Sequence, residues 1–315
     1  MTGLDISHLQ KRYGDQTVVD DLSFHVNKGE IFGLIGPNGA GKSTSIMMII
    51  GLLQPDGGSI SFDGQLYNPR NAEMRSRFGI VPQELAIYPQ LSAIQNLLLF
   101  GKLNGLGGRR LRERVDYVLE ITGLGRNADQ TPQTFSGGMS RRLNFGIALL
   151  HEPAFVVLDE PTVGIDPQSR TNLLDAVRDL STKGVGVLYA SHYMEEVEAI
   201  CHRVAIIDRG RLLKQGTIDD LLDRTQTDIC VMVAKLPIEL IQRLHGLADV
   251  QSDHDGNTTL LIRERLATEK EVRPGRLRVV LELLEQAGVP MLAIKSRETS
   301  LESLFMNLTG RTLRD

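Results

Sequence analysis

The apolar positions change spacing several times along the chain, and each change marks a new element. Residues 4–13 and 17–26 read as strands. Ile31-Phe32-Gly33-Leu34-Ile35 is a short apolar run ending at Gly36, the pattern of a buried strand. Lys42 to Leu53 predicts an apolar helix, and Gln54-Pro55-Asp56-Gly57-Gly58 a turn. Residues 60–62 and 78–81 read as short strands.

Helical spacing takes over from about Leu91 to His151, with helices expected over roughly 92–104, 109–122 and 137–151. The strand pattern then returns: strands at 155–158, 186–190 and 204–207 alternate with helices at 167–182 and 194–201. Apolar strands alternating with helices imply a mainly parallel sheet covered on both faces, interrupted by a helical insertion. A second unit follows, with strands at 229–234, 249–253, 258–263 and 291–295. Its helices are expected at 237–247, 275–287 and 300–309, the last behind the capping pattern Thr299-Ser300-Leu301-Glu302. The order βαββαβα describes a small α+β domain. The expected division is an α/β domain over 1–224, with a helical subdomain at about 91–151, and an accessory domain over 225–315.

Composition narrows the partners. The chain has 315 residues, 41% hydrophobic and 23% charged, with a net charge of −4. That balance carries no electrostatic footprint for nucleic acid, and none is expected as a partner. Two cysteines, Cys201 and Cys230, make no disulfide or zinc framework. The N-terminus shows no signal-peptide pattern, and no apolar run approaches the roughly 18 residues of a membrane helix. Any membrane work would fall to another chain.

Gly36-Pro37-Asn38-Gly39-Ala40-Gly41-Lys42-Ser43-Thr44 is a phosphate loop lying between an expected strand and helix. Glycines let backbone N–H groups converge on an anion, and the helix N-terminus points at the same charge. Lys42 can reach β- and γ-phosphates, and the Ser43 hydroxyl can bind Mg²⁺. The apolar strand at 155–158 ends in Asp159-Glu160. Asp159 would hold Mg²⁺ and Glu160 would polarise the attacking water; the alternative is an acidic pair capping a turn. Ser136-Gly137-Gly138 opens a helix and offers a second anion site, or simply a helix cap.

The order phosphate loop, Gln83, Ser-Gly-Gly, Asp-Glu, Asp166 and His192 resembles the ATPase subunits of ABC transporters, over roughly residues 3–223. The resemblance implies ATP and Mg²⁺ as cofactors, a homodimer packed head to tail, and separate membrane permease subunits. Each ATP would lie between one copy's phosphate loop and the other's Ser136-Gly137-Gly138. It further implies that Tyr13 stacks on adenine beside Val18, although unaided Tyr13 reads as a half-buried strand residue. Gln83 would link Mg²⁺ and the attacking water to the permease. Asp166 would signal across the dimer, and His192 would contact the γ-phosphate. The place of work would be the cytoplasmic face of the membrane, held there by the permease.

The common Leu-Ser-Gly-Gly-Gln is here Phe135-Ser136-Gly137-Gly138-Met139. This variant, with the tail 300–305, resembles the drug-resistance branch whose permeases are of the ABC-2 type. Importer ATPases share the core motifs, so those motifs leave direction open. A non-transport ABC ATPase acting on ribosomes or DNA is the competing reading. One phosphate loop, no sustained heptads and an acidic balance weigh against it. Arg109, Arg110, Arg112 and Arg114 read as a solvated helix face, with permease docking as the alternative.

Overall fold

The computed structural model describes residues 3–68, 71–222, 226–234, 236–252, 258–265, 275–298 and 300–309. In chain order the first elements are β1 (Gly3–Tyr13), β2 (Gln16–Asn27), β3 (Ile31–Ile35), α1 (Lys42–Ile49), β4 (Gly57–Phe62), β5 (Gln65–Leu66), α2 (Ala72–Arg75) and β6 (Phe78–Val81). Next come α3 (Ala93–Leu103), α4 (Gly108–Ile121), α5 (Gly137–Leu149), β7 (Phe155–Asp159), α6 (Pro167–Thr182), β8 (Gly186–Ser191), α7 (Met194–Ile200), β9 (Arg203–Asp208) and β10 (Arg211–Thr217). The remainder is α8 (Ile218–Leu222), β11 (Gln226–Val233), α9 (Ile238–Leu244), β12 (Asp249–Ser252), β13 (Thr258–Arg265), α10 (Arg276–Gln286), β14 (Met291–Glu298) and α11 (Leu301–Thr309).

The chain divides into two compact units, one running to Ile218 and taking up Phe305 onward, the other Asp219–Leu304. The position expected to separate domains, 224/225, lies outside the described residues, as does Thr299 of the expected capping pattern.

The first unit holds two sheets rather than one. β10-β9-β3-β8-β7-β6 form a six-stranded sheet, parallel except for the β9–β10 hairpin. β3, β7 and β8 are buried at every position, as strands covered on both faces must be. β1 and β2 instead alternate buried and exposed positions and pair antiparallel in a separate sheet ordered β2-β1-β4-β5. The two sheets share a core, in which Phe24 of one stacks on Phe32 of the other at 5.1 Å. Helix α1 ends at Ile49, short of the expected Leu53. Gly51 takes a left-handed φ of +77°, which terminates the helix and leaves Leu52 exposed.

The insertion is the expected run of helices. Ser92 and Gln95 close a capping box on α3, and Ser136 caps α5. α4 packs closely on its neighbours because Gly101 and Gly146 lack side chains: a Cβ there would meet Leu111 at 2.3 Å and Val118 at 2.6 Å.

The second unit is an antiparallel sheet ordered β12-β13-β11-β14. Val231, Val233, Leu260 and Ile262 pack against Leu240, Leu244, Val280 and Leu284 of α9 and α10. Among the described residues no helix is long and apolar enough to cross a membrane.

Candidate nucleotide site

Sheet order, not sequence order, assembles the site. β3, β8, β7 and β6 lie side by side and parallel, so their carboxyl ends share one edge, where open α/β sheets bind ligands. β3 leads into the loop from Gly36, β8 into His192, β7 into Asp159-Glu160 and β6 into Gln83. A cleft of about 230 Å³ opens there. It is lined by residues 37–39 and 41–44, with Val18, Gln83, Glu160, Val163 and His192.

Two glycines of the loop are required by its surroundings. At Gly36 a Cβ would lie 2.3 Å from the Ile207 carbonyl oxygen, and Gly41 combines a φ of +101° with a 2.8 Å approach to Val18 O. Gly36 and Ala40 shape the loop from behind rather than lining the cleft; Ala40 O accepts from Gly210 N at 2.9 Å. Lys42 opens α1 and is buried. Its Nζ donates to Gly36 O at 2.7 Å and Pro37 O at 3.1 Å, and lies 3.6 Å from Glu160 Oε1. Burial pushes the Lys42 pKa down, against the opposing pull of the Glu160 and Asp159 carboxylates.

Glu160 is buried in a left-handed conformation, φ +50°, with its N–H donating to Ala190 O at 2.9 Å. Its Oε2 faces His192 Nδ1 at 2.7 Å.

Asp159 is buried, the Ser43 hydroxyl lies close enough to act on its carboxyl, and its Oδ1 has no partner. Burial raises its pKa, and the Glu160 charge adds to the rise. Among the described residues no cluster of three His, Cys, Asp or Glu side chains could hold a metal unaided. One buried carboxylate with an orphaned oxygen, a hydroxyl and the nearby Gln83 amide instead suit Mg²⁺. That ion takes one or two carboxylates and completes its shell with phosphate oxygens and water.

Gln83 is exposed and lines the cleft, and its loop is tied to α5. Arg141 Nη1 donates to Gln83 O, and Asn144 accepts from Ala86 N at 3.1 Å while donating to Pro82 O at 3.4 Å. Neither Arg141 nor Asn144 belongs to a motif that sequence reasoning picks out. Val163 of the cleft was also missed, because its place follows from the turn after Glu160.

Ser136, Gly137, Gly138 and Asp166 line no part of the cleft. They pack together elsewhere on the first unit. Asp166 Oδ1 accepts from Ser169 N at 2.9 Å, capping α6 ahead of Pro167. The Ser169 bonds hold the Asp166 carboxyl below its ordinary pKa. A Cβ on Gly138 would lie 2.2 Å from Ser169 Oγ, and one on Gly137 3.1 Å from Gly164 O. Ser136 Oγ accepts from Met139 N at 3.2 Å and remains exposed. Tyr13 ends β1, is 50% exposed and does not line the cleft, whereas Val18 does. The arginines of α4 are largely engaged within the chain: Arg109 with Glu113, and Arg110 and Arg114 with Glu152.

Comparison with known proteins identifies the family. A profile described as ABC transporter matches residues 19–163. The linearmycin resistance ATP-binding protein LnrL of Bacillus subtilis (strain 168) is 43% identical over 99% of this chain and 100% of its own length. The chain belongs to the ABC transporter ATP-binding family. The Nod factor export ATP-binding protein I of Burkholderia thailandensis is 37% identical over 99% of this chain and 98% of its own. A solved ATP-binding subunit of an ABC transporter, 34% identical, superposes on 70% of this chain and 92% of its own with a TM-score of 0.65. As a member of this family the chain binds ATP and hydrolyses it to drive transport through a separate permease.

Proposed function

We propose that this chain is the ATPase subunit of an exporter, acting as a pair of identical copies beneath an ABC-2 type permease. The observation that carries the reading is the division of the site. The cleft gathers the phosphate loop, Gln83, Glu160 and His192, while exposed Ser136 and Gly137 sit beside Asp166 and outside it. Two copies packed head to tail would set Ser136-Gly137-Gly138 of one against the phosphates held by the other. Export as the direction is supported by the relatives named for resistance and for Nod factor export, whose similarity runs through nearly the whole chain.

In this mechanism residues 37–44 wrap the phosphates with backbone N–H groups, and Lys42 turns from its loop carbonyls to the β- and γ-phosphates. Ser43, Asp159 and Gln83 hold Mg²⁺, which offsets the phosphate charge when bound. Glu160 takes the proton of the attacking water. His192, held by its Nδ1 contact with Glu160, contacts the γ-phosphate. Tyr13 stacks on adenine with Val18 beside it. Asp166, at the α6 cap against Gly138, carries the state of one site to the other. ATP drives the cycle only so far as it prefers the closed pair over the open one.

The ATPase lies in residues 1–224, with 225–315 as an accessory domain. The chain reaches the cytoplasmic face of the membrane through its permease. The test is affinity purification of the tagged chain from detergent-solubilised membranes of its own cells. Co-purification of a membrane-spanning permease supports the reading; ribosomes or DNA in its place would overturn it.

A further inference from the structure

Glu196 of α7 is 3% exposed, yet it is a carboxylate outside the nucleotide cleft. Three side chains converge on it. Thr162 Oγ1 and Tyr189 Oη each donate to its Oε2 at 2.7 Å. Arg170 Nε of α6 lies 3.2 Å from its Oε1, an ion pair without the alignment of a hydrogen bond. The Arg170 guanidinium also sits 5.3 Å from the centre of the Tyr193 ring. Burial and then the Glu196 charge hold the Tyr189 phenol well above its ordinary pKa, so it remains a donor.

The position of this carboxylate matters because of Glu160. A non-glycine residue in the left-handed region persists only where its surroundings over-determine it. Glu160 starts a tight turn closed by Val163 N donating to Glu160 O at 3.4 Å, and Thr162 lies inside that turn. The other arm, Ser191 to Tyr193, carries His192 and leads straight into α7. Glu196 therefore grips the Glu160 turn through Thr162 from the helix that immediately follows His192.

We propose that Glu196 is the positioning residue that sets Glu160 against His192, gripping Thr162 and Tyr189 at once. It touches neither nucleotide nor water and acts through the Glu160 turn. The inference rests on Glu160 being the base of the proposed mechanism.

The experiment measures kcat and KM for ATP, the Kd of nucleotide and the melting temperature for Glu196→Ala, Glu196→Gln, Thr162→Val and Glu160→Gln. Glu196→Ala is expected to lower kcat at least tenfold while Kd changes less than about threefold. Glu196→Gln keeps an acceptor oxygen for both hydroxyls and is expected to recover most of that loss. In the Glu160→Gln background, Glu196→Ala should cause no further loss, since both act through one group. Should Glu196→Ala fail to fold, Thr162→Val keeps the shape while removing one arm of the grip, and is expected to lower kcat severalfold at unchanged Kd. Wild-type kcat in whichever of Glu196→Ala or Thr162→Val folds would overturn the inference. So would a loss in Glu196→Ala that adds fully to that of Glu160→Gln. Unimpaired turnover in Glu160→Gln would instead remove the base assignment itself.

Discussion

Lys42 and Glu160 face each other across the phosphate cleft, Nζ 3.6 Å from Oε1, each with a side chain only 6% exposed. The pair separates two tasks that the same cleft performs. Lys42 neutralises bound phosphate, so Lys42→Ala is expected to weaken ATP binding first and turnover as a consequence. Glu160 meets water, so Glu160→Gln should leave binding intact and slow turnover by about 10²–10⁴, the usual range for a general base. Nucleotide titration beside steady-state hydrolysis separates the two. Equal loss of binding in both variants would refute this division of labour.

Asp159 predicts a pH dependence of stability in the nucleotide-free protein. Its pKa is raised in the fold, chiefly by burial. The native state then holds the Asp159 proton more tightly than the unfolded chain does. Stability from this group is therefore greatest at low pH and falls as pH rises from the ordinary carboxylate value through the raised one. Asp159→Asn removes the charge that the fold desolvates. Its melting temperature without nucleotide should exceed the wild type near neutral pH, and the difference should shrink on acidification. About 1 kcal/mol, the low end for a poorly paired buried polar group, corresponds to roughly 2–4 °C in a domain of this size. Mg²⁺-dependent hydrolysis should be lost in the same variant. Melting curves from pH 4 to 8 with and without Mg²⁺-ATP check both statements.

What sequence could reveal of this site was local. The phosphate loop, the apolar strand before Asp159-Glu160 and the helix cap at Ser136 each occupy a few consecutive residues whose types follow from backbone geometry. Contacts made by sheet order were hidden. Nothing in the linear pattern shows that β8 lies between β3 and β7, which is what brings His192 to Glu160. Residues 4–13 and 17–26 read as strands, but strand propensity does not state a partner, so their antiparallel pairing in a separate sheet was not legible. Helix α1 read four residues too long because apolar Leu52 and Leu53 outweighed Gly51. Glu196 sits in an acidic run, Glu195-Glu196, that looks like a solvated helix start; only the burial of one of the two gives it away.

Gly138 should be intolerant of any side chain for a reason unrelated to helix propensity. Its missing Cβ is the space into which Ser169 fits, with Oγ at 2.2 Å and Cβ at 2.6 Å from the position a methyl would take. Gly138→Ala must part the start of α5 from the start of α6, and so Ser136 from Asp166. Overpacking of this kind costs about 1–3 kcal/mol. Hydrolysis should fall further than stability, because both displaced residues belong to the shared face. Ser169→Gly added to Gly138→Ala should restore much of the activity. Failure of that rescue in a well-folded double variant would show the defect lies elsewhere.

Arg141 predicts how the two halves of one chain are tied. Its Nη1 donates to the Gln83 carbonyl, and it stands on the helix that Ser136 opens. A shift of Gln83 toward Mg²⁺ would thus pull on α5, whose N-terminus serves the partner's ATP in the proposed pair. Asn144, one turn further along, bonds both Pro82 O and Ala86 N and keeps the loop attached when Arg141 is removed. Arg141→Ala is therefore expected to fold normally and to bind nucleotide within about threefold of wild type. Its hydrolysis should lose dependence on the second site, with the Hill coefficient for ATP falling toward 1 while kcat drops severalfold. Arg141→Lys should behave like the alanine variant if fork geometry matters, since an ammonium on a flexible stem does not reproduce a planar guanidinium. An unchanged Hill coefficient in Arg141→Ala, measured where Glu160→Gln still forms ATP-dependent dimers on a sizing column, would leave the tie without a role in coupling.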